Sequence, residues 1–184
     1  YDALHFVNNN LAFTFSDPEK DLNLKLSVLI PEKNRYESFK PAYKNHDPLK
    51  LKEGEAAFAA SNTNIASVGN TVWIATGGKV SRIIKFDVIK NNLEVFNTPF
   101  IQGTSSQGMY SIDFFDKNFG IAVGGDYTKQ TENINNIATK KDGWKTLQIH
   151  DAAQNGEYNK WVQLRPKTKG EEKITCEKKD KEIS

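Results

Sequence analysis

Cysteine is nearly absent: Cys176 is the only one in 184 residues. A single thiol can form no disulfide within the chain and no cysteine-based zinc site. It alternates with Ile174, which reads as a buried strand position. Histidine is limited to His5, His46 and His150, too scattered to pair at metal-ligand spacing. Arginine is limited to Arg35, Arg82 and Arg165. No run approaches the ~18 apolar residues that span a bilayer, so no membrane insertion is expected. Net charge is only +2, which argues against a dedicated nucleic-acid or anionic-membrane surface. The lysines concentrate only between Lys167 and Lys181, where acidic residues interleave with them and predict a solvated segment. No signal-peptide pattern is visible, and Tyr1 falls inside a strand pattern, so the chain reads as a mature or truncated product.

What the chain does have is repetition. Ala3 to Asn10 followed by Phe13-Thr14-Phe15 reappears about 108 residues later as Ser111 to Asn118 followed by Ile121-Ala122-Val123. Each copy is an alternating strand, a polar turn and a second strand, and a weaker unit lies between them. Short strands repeating every 40–50 residues or so indicate propeller blades or a related array.

The best-formed unit places strands at Tyr110–Phe114, Gly120–Gly124, Asn136–Thr139 and Lys145–Ile149. Asp116 to Gly120 is a turn, Asp126 to Asn135 a long polar loop, and Asp142-Gly143 a hairpin turn. The preceding unit has a candidate inner strand at Phe58–Asn62, then strands at Thr71–Thr76, Val80–Phe86 and Leu93–Phe96. Gly77-Gly78 and Gly124-Gly125 read as tight exits from inner strands. The first unit has its outer hairpin at Pro31 to Asn34.

Tyr36, Leu93 and Leu147 anchor the outer hairpins, at spacings of 93 − 36 = 57 and 147 − 93 = 54 residues. The expected fold is therefore an all-β propeller of about three to three and a half four-stranded blades. The blades cover roughly residues 1–41, 54–98 and 109–150, with a partial one at 158–184 that includes Lys160–Leu164 and Lys173–Cys176. Closed propellers usually have four to eight blades. The chain is thus expected to be a fragment, or part of a homodimer that completes the propeller. A β-sandwich with a coincidental repeat is the alternative.

The strings Gly54 to Ile65, Trp73 to Gly78 with Ser81-Arg82, and Asn97-Thr98-Pro99 resemble bacterial BNR-repeat propellers. So do Gln102 to Gly108, Tyr110 to Phe114 and Gly120 to Tyr127. The resemblance covers about residues 54–147. The group is related to the photosystem II stability/assembly factor (Ycf48-like) proteins, and many of its Bacteroidetes members carry the label "oxidoreductase". Its outer hairpin is an Asp-box, roughly Ser/Thr-x-Asp-x-Gly-x-Thr-Trp. Thr139 to Leu147 keeps Asp142, Gly143 and Thr146, with leucine where tryptophan is usual. Phe86–Leu93 and Leu29–Tyr36 depart further from the pattern. An Asp-box marks fold, not catalysis. Family members often carry export signals, which implies a periplasmic or secreted setting.

No catalytic constellation is visible. Sialidases share the fold, but gripping a carboxylate takes three arginines, and Arg35 lies in an outer hairpin away from any axial pocket. No Gly-x-Gly-x-x-Gly links a strand to a helix, so no dinucleotide cofactor is expected. Asp113, Asp116 and Asp126 could line a calcium loop, yet none shows regular Asp/Asn alternation, so no metal is expected. Ser105 and Ser106 sit on no nucleophile elbow.

The best binding candidate is the loop carrying Gln102, Thr104, Ser105 and Gln107, whose two glycines let backbone approach a ligand. Glu55, Ser61 and Asn62 hold the equivalent place one unit earlier. Arg82, Asp126 and Tyr127 complete a polar, partly aromatic rim. Removing Arg82 or Gln107 is expected to weaken partner binding and leave the fold intact. The expected function is a non-catalytic binding or assembly scaffold for a protein or peptide. The alternative is a carbohydrate-active propeller, a sialidase-like glycosidase or lyase, with its site completed elsewhere.

Overall fold

A computed structural model describes residues 2–18, 20–41, 43, 48–132, 134–141 and 146–150. The Asp142-Gly143 turn and the partial unit at 158–184 lie outside the described residues. The described chain is all-β, folded into three antiparallel sheets.

The first sheet is a meander of β1 (Ala3–Asn8), β2 (Leu11–Ser16), β3 (Lys25–Ile30) and β4 (Arg35–Ser38), paired in that order. Its turns follow from the sequence. Asn8 accepts the Asn10 amide at 2.8 Å. A 3-10 turn over Pro31–Lys33 ends on Asn34 in the left-handed region, where asparagine is tolerated. Between the first two sheets runs β5 (Glu55–Ala56). The second sheet is built from β6 (Ile65–Val68), β7 (Thr71–Ala75), β9 (Arg82–Asp87) and β10 (Asn92–Asn97). Between β7 and β9 lies β8 (Gly77–Gly78). Asp87 closes the β9–β10 hairpin by accepting the amides of Ile89 at 3.0 Å and Lys90 at 2.9 Å. The third sheet holds β11 (Gln107–Phe114), β12 (Gly120–Asp126), β13 (Ile137–Lys141) and β14 (Thr146–His150). Asp116 caps its β11–β12 turn through the amides of Asn118 and Phe119.

Two expectations are corrected. Phe58–Asn62 is not a strand. Ser61 and Asn62 donate their amides back to Phe58 and Ala59, and Asn62 is left-handed. Short polar side chains that bond locally favour such a turn over a ladder. The first strand of that sheet is β6, seven residues later. Gly77-Gly78 is also more than an exit: as β8 it pairs with Gly108 of β11 and with β5, adding two strands to the edge of the third sheet. Gly124-Gly125 likewise lies within β12.

The second sheet is the middle layer, and the period of two in β7 shows how. Val72 and Ile74 face the first sheet, where Phe13, Phe15 and Leu26 pack with them. Trp73 and Ala75 face the third sheet, with Met109, Ile112 and Ala122. Trp73 is fully buried and stacks on Phe114, ring centroids 3.9 Å apart. The link between the first two sheets also contributes core: Leu49 and Leu51 are buried, and their backbone bonds Leu24 and Leu22.

The first strands of the three sheets lie side by side. The Leu4 amide donates to Asn62 Oδ1 at 3.1 Å, and His5 Nε2 meets Ser67 Oγ at 2.8 Å. Thr63 bridges Ser111 in parallel, and the Ile112 amide donates to the Thr63 carbonyl at 2.9 Å.

Candidate functional site

The expected rim residues divide into a buried clamp and a surface cluster. The clamp forms where β5, β8 and the start of β9 meet. Arg82 Nε lies 2.9 and 3.1 Å from the two Glu55 oxygens, and Nη2 lies 2.5 Å from Oε2. Both residues are buried, at 6% and 2% exposure. Glu55 also accepts the Lys52 amide at 2.8 Å and the Thr76 hydroxyl at 2.7 Å. The Arg82 amide donates to Thr76 Oγ1 at 2.9 Å. Glu55 and Arg82 therefore face each other and the interior, which corrects their placement on an exposed rim. A buried ion pair survives only with this degree of satisfaction, because each charge has lost its water.

Gln102 serves the same junction. Its Oε1 accepts the Ser81 amide at 2.9 Å, and its Nε2 donates to the carbonyls of Thr98 at 2.9 Å and Phe100 at 3.1 Å. It shapes the link from β10 to β11. Ser61 and Asn62 form the turn before β6, with Ser61 Oγ donating to the Phe58 carbonyl at 2.9 Å.

The surface cluster gathers Thr104, Ser105, Gln107 and Tyr127 as the sequence suggested and adds Phe58 and Tyr110, but Asp126 among them is buried at 7% exposure, which corrects its placement on an exposed rim. Gln107 and Asp126 are opposed in the β11–β12 register, and Gln107 Nε2 donates to Asp126 Oδ2 at 3.1 Å. Asp126 Oδ1 accepts the Thr128 amide at 3.0 Å and its hydroxyl at 2.6 Å. The hydroxyls of Thr128 and Ser106, together with the Thr128 amide and Gln107, hold the Asp126 carboxyl well below the usual carboxylate range. Asp126 thus stays charged and ties the 103–107 loop to the end of β12.

Above this tie sit three rings. Phe58 meets Tyr110 edge-on with centroids 4.6 Å apart, and meets Tyr127 at 6.3 Å. The Tyr110 hydroxyl donates to the Ser106 carbonyl at 2.7 Å. Burial pushes the Tyr110 phenol up to about 12, and the Asp126 charge adds to the rise. Tyr127 is 54% exposed, and Thr104 and Ser105 are exposed beside it. The result is an aromatic shelf bordered by hydroxyl and amide groups.

Sequence reasoning missed two of the three rings. Tyr110 sits at a register shift between Met109 and Ser111, so it leaves the alternation that its neighbours keep. Gly108 inside the strand was the available signal for that bulge. Phe58 was hidden by its assignment to a strand. The glycines that permit the shelf are specific. A Cβ on Gly77 would lie 2.3 Å from the Phe58 ring, and one on Gly124 would lie 1.9 Å from the Gly108 carbonyl oxygen.

Among the described residues, no group of His, Cys, Asp and Glu is placed to hold a metal ion. Among them, too, no helix is long and apolar enough to cross a membrane. Compared with known proteins, the chain matches no protein-family model and no curated sequence.

Proposed function

We propose that the chain is part of a BNR-type β-propeller that acts as a non-catalytic scaffold, binding a protein or peptide through its loop face. The propeller reading rests on three successive four-strand meanders whose first strands run side by side, as blades do around an axis. The resemblance to assembly-factor propellers suggests the scaffold role and an exported setting. One observation carries the binding reading: the shelf of Phe58, Tyr110 and Tyr127 on the loops, fixed from beneath by Asp126. Rigid aromatic area with hydroxyls and amides at its border is the usual composition of a protein-recognition patch.

A ring beside a carboxylate and an amide also suits a sugar, which keeps the carbohydrate-active reading as runner-up. Glycoside hydrolysis asks for two carboxyl groups about 5–10 Å apart. The hydrogen bonds of the shelf contain one, Asp126, and its oxygens are occupied by Thr128 and Gln107.

The test is to select peptides against the chain from a displayed random library and measure their affinity for Tyr127→Ala. A loss of at least about tenfold, with an unchanged circular dichroism spectrum and melting temperature, is expected. Selected peptides that bind Tyr127→Ala as tightly as the parent would overturn the shelf as the site. A parallel glycan array reads the runner-up: saturable glycan binding abolished by the same substitution would replace the peptide reading.

A further inference from the structure

The face that the second sheet turns to the third is apolar along part of its length only. Ala75, Ile83 and Phe96 are cross-strand neighbours in one row and pack in the core. Toward the turns, the next row is Trp73, Lys85 and Glu94, and the one after is Thr71, Asp87 and Asn92. Opposed residues share a face of a sheet, so these polar side chains lie on the side that Trp73 takes. The β11–β12 turn adds Lys117 and Asn118, and the β9–β10 turn adds Lys90. Together they line a cavity of about 270 Å³ with the fully buried Trp73 at its floor.

The charges of this cavity are unequal. The ammonium groups of Lys85, Lys90 and Lys117 meet the carboxylates of Asp87 and Glu94. Both carboxylates are already engaged within the chain. Glu94 Oε2 accepts from Lys85 Nζ at 2.7 Å. Asp87 Oδ1 accepts the Ile89 and Lys90 amides. The Lys90 amide above all, then the Ile89 amide and the charges of Lys90 and Lys117, hold the Asp87 carboxyl below its ordinary range. One positive charge is therefore in excess, on the Lys90 and Lys117 side. The buried floor strengthens its field, because no water screens it from beneath. Thr71, Asn92 and Asn118 each bring both a donor and an acceptor.

We propose that this cavity binds a small hydroxycarboxylate, with its carboxylate between Lys90 and Lys117 and its hydroxyls against Thr71, Asn92 and Asn118. A single negative charge matches the excess, and hydroxyls match groups that both give and accept. The volume is below the ~300–1,000 Å³ of pockets that hold drug-sized ligands, which calls for a small molecule. An acidic side chain of a protein partner carries the same charge, but it would have to bring its backbone into a recess between two sheets. The cavity lies beyond the Phe114 end of β11, and the aromatic shelf stands toward the Gln107 end, so the inference does not rest on the scaffold reading.

The test is a titration of the full chain with gluconate at constant ionic strength, followed by the amide shifts in nuclear magnetic resonance. Saturable shifts at Lys90, Asn92, Lys117 and Asn118 are expected, with a Kd below about 10 mM. The amides of Tyr110 and Tyr127 should stay in place. Lys90→Gln and Lys117→Gln change exposed turn residues, and each should weaken binding about tenfold, as loss of a charge-assisted hydrogen bond does. No saturable shift, or shifts that sodium chloride reproduces, would overturn the proposal. So would inorganic phosphate binding more tightly than gluconate, since the site would then select charge density over a single carboxylate. An end-capped acidic peptide that binds here while gluconate does not would replace the small molecule with a protein partner. Each of these results leaves the shelf standing, because its own test is Tyr127→Ala against selected peptides.

Discussion

Arg82 and Glu55 form a two-pronged ion pair in the interior, with the guanidinium Nε shared between both carboxylate oxygens and Nη2 on one of them. The partners are 27 residues apart in sequence and belong to different sheets, β9 to the second and β5 to the edge of the third. The pair therefore pins two sheets together at the point where the chain crosses between them.

Arg82→Ala is expected to destabilise the fold by about 3–5 kcal/mol, because it strands a buried carboxylate. Glu55→Ala should cost a similar amount by stranding the guanidinium. The double variant should cost less than the sum of the two, since no uncompensated charge remains. Urea unfolding of the three variants measures this. An Arg82→Ala loss under about 1 kcal/mol would show that water reaches the pair.

Gly124→Ala tests the junction of β8, β11 and β12. Its Cβ would fall 1.9 Å from the Gly108 carbonyl oxygen and 2.9 Å from the Met109 Cα, both backbone atoms that no rotamer change can clear. Overpacking of this kind costs about 1–3 kcal/mol, and here the upper end is expected. The melting temperature is the readout. A variant that melts with the parent would mean that β11 and β12 part at this point and admit the methyl group at no cost.

His5 gives the chain a pH dependence near neutrality. Burial lowers its pKa below the ordinary 6.5, and the Asp113 charge opposes that only in part. The unfolded chain takes up a proton near pH 6.5, whereas the folded chain does so only at lower pH. Stability is thus unaffected above 6.5 and falls as pH drops through 6.5, until the folded pKa is passed. The urea midpoint should be lower at pH 5.5 than at pH 7.5. His5→Gln, which keeps a group able to meet Ser67 Oγ, should remove most of that difference. An equal pH difference in both proteins would place its origin elsewhere.

Much of the strand order was legible because alternation is a local property. In β10 and β11 an apolar face recurs every second residue, at Leu93 and Val95 in the one and at Ile112 and Phe114 in the other, and the turns between strands carry Asn, Asp or Gly. β7 and β12 instead read as short continuous apolar runs bounded by such turns. Asp116 was in place as a turn residue, and the structure shows it accepting backbone amides there, whereas the amide-accepting role of Asp87 was not foreseen. Legibility failed where a residue's role depended on a distant neighbour. Phe58 looks like a strand residue until Tyr110 and Tyr127 are placed beside it. Gly77 looks like a strand exit until Gly108 is placed against it.

The sequence by itself determined an all-β chain of repeating strand meanders, since period, turn chemistry and the lack of helical spacing all act within a few residues of each other. It also marked the loop around Gln102–Gly108 as the richest in ligand-facing groups. Only the tertiary structure decided which of those polar residues face outward. Charge and polarity are the same for a buried clamp and an exposed rim. Arg82 and Glu55 went inside because each could fully satisfy the other there, while Tyr127, with its ring set above the Asp126 tie, stayed in contact with solvent.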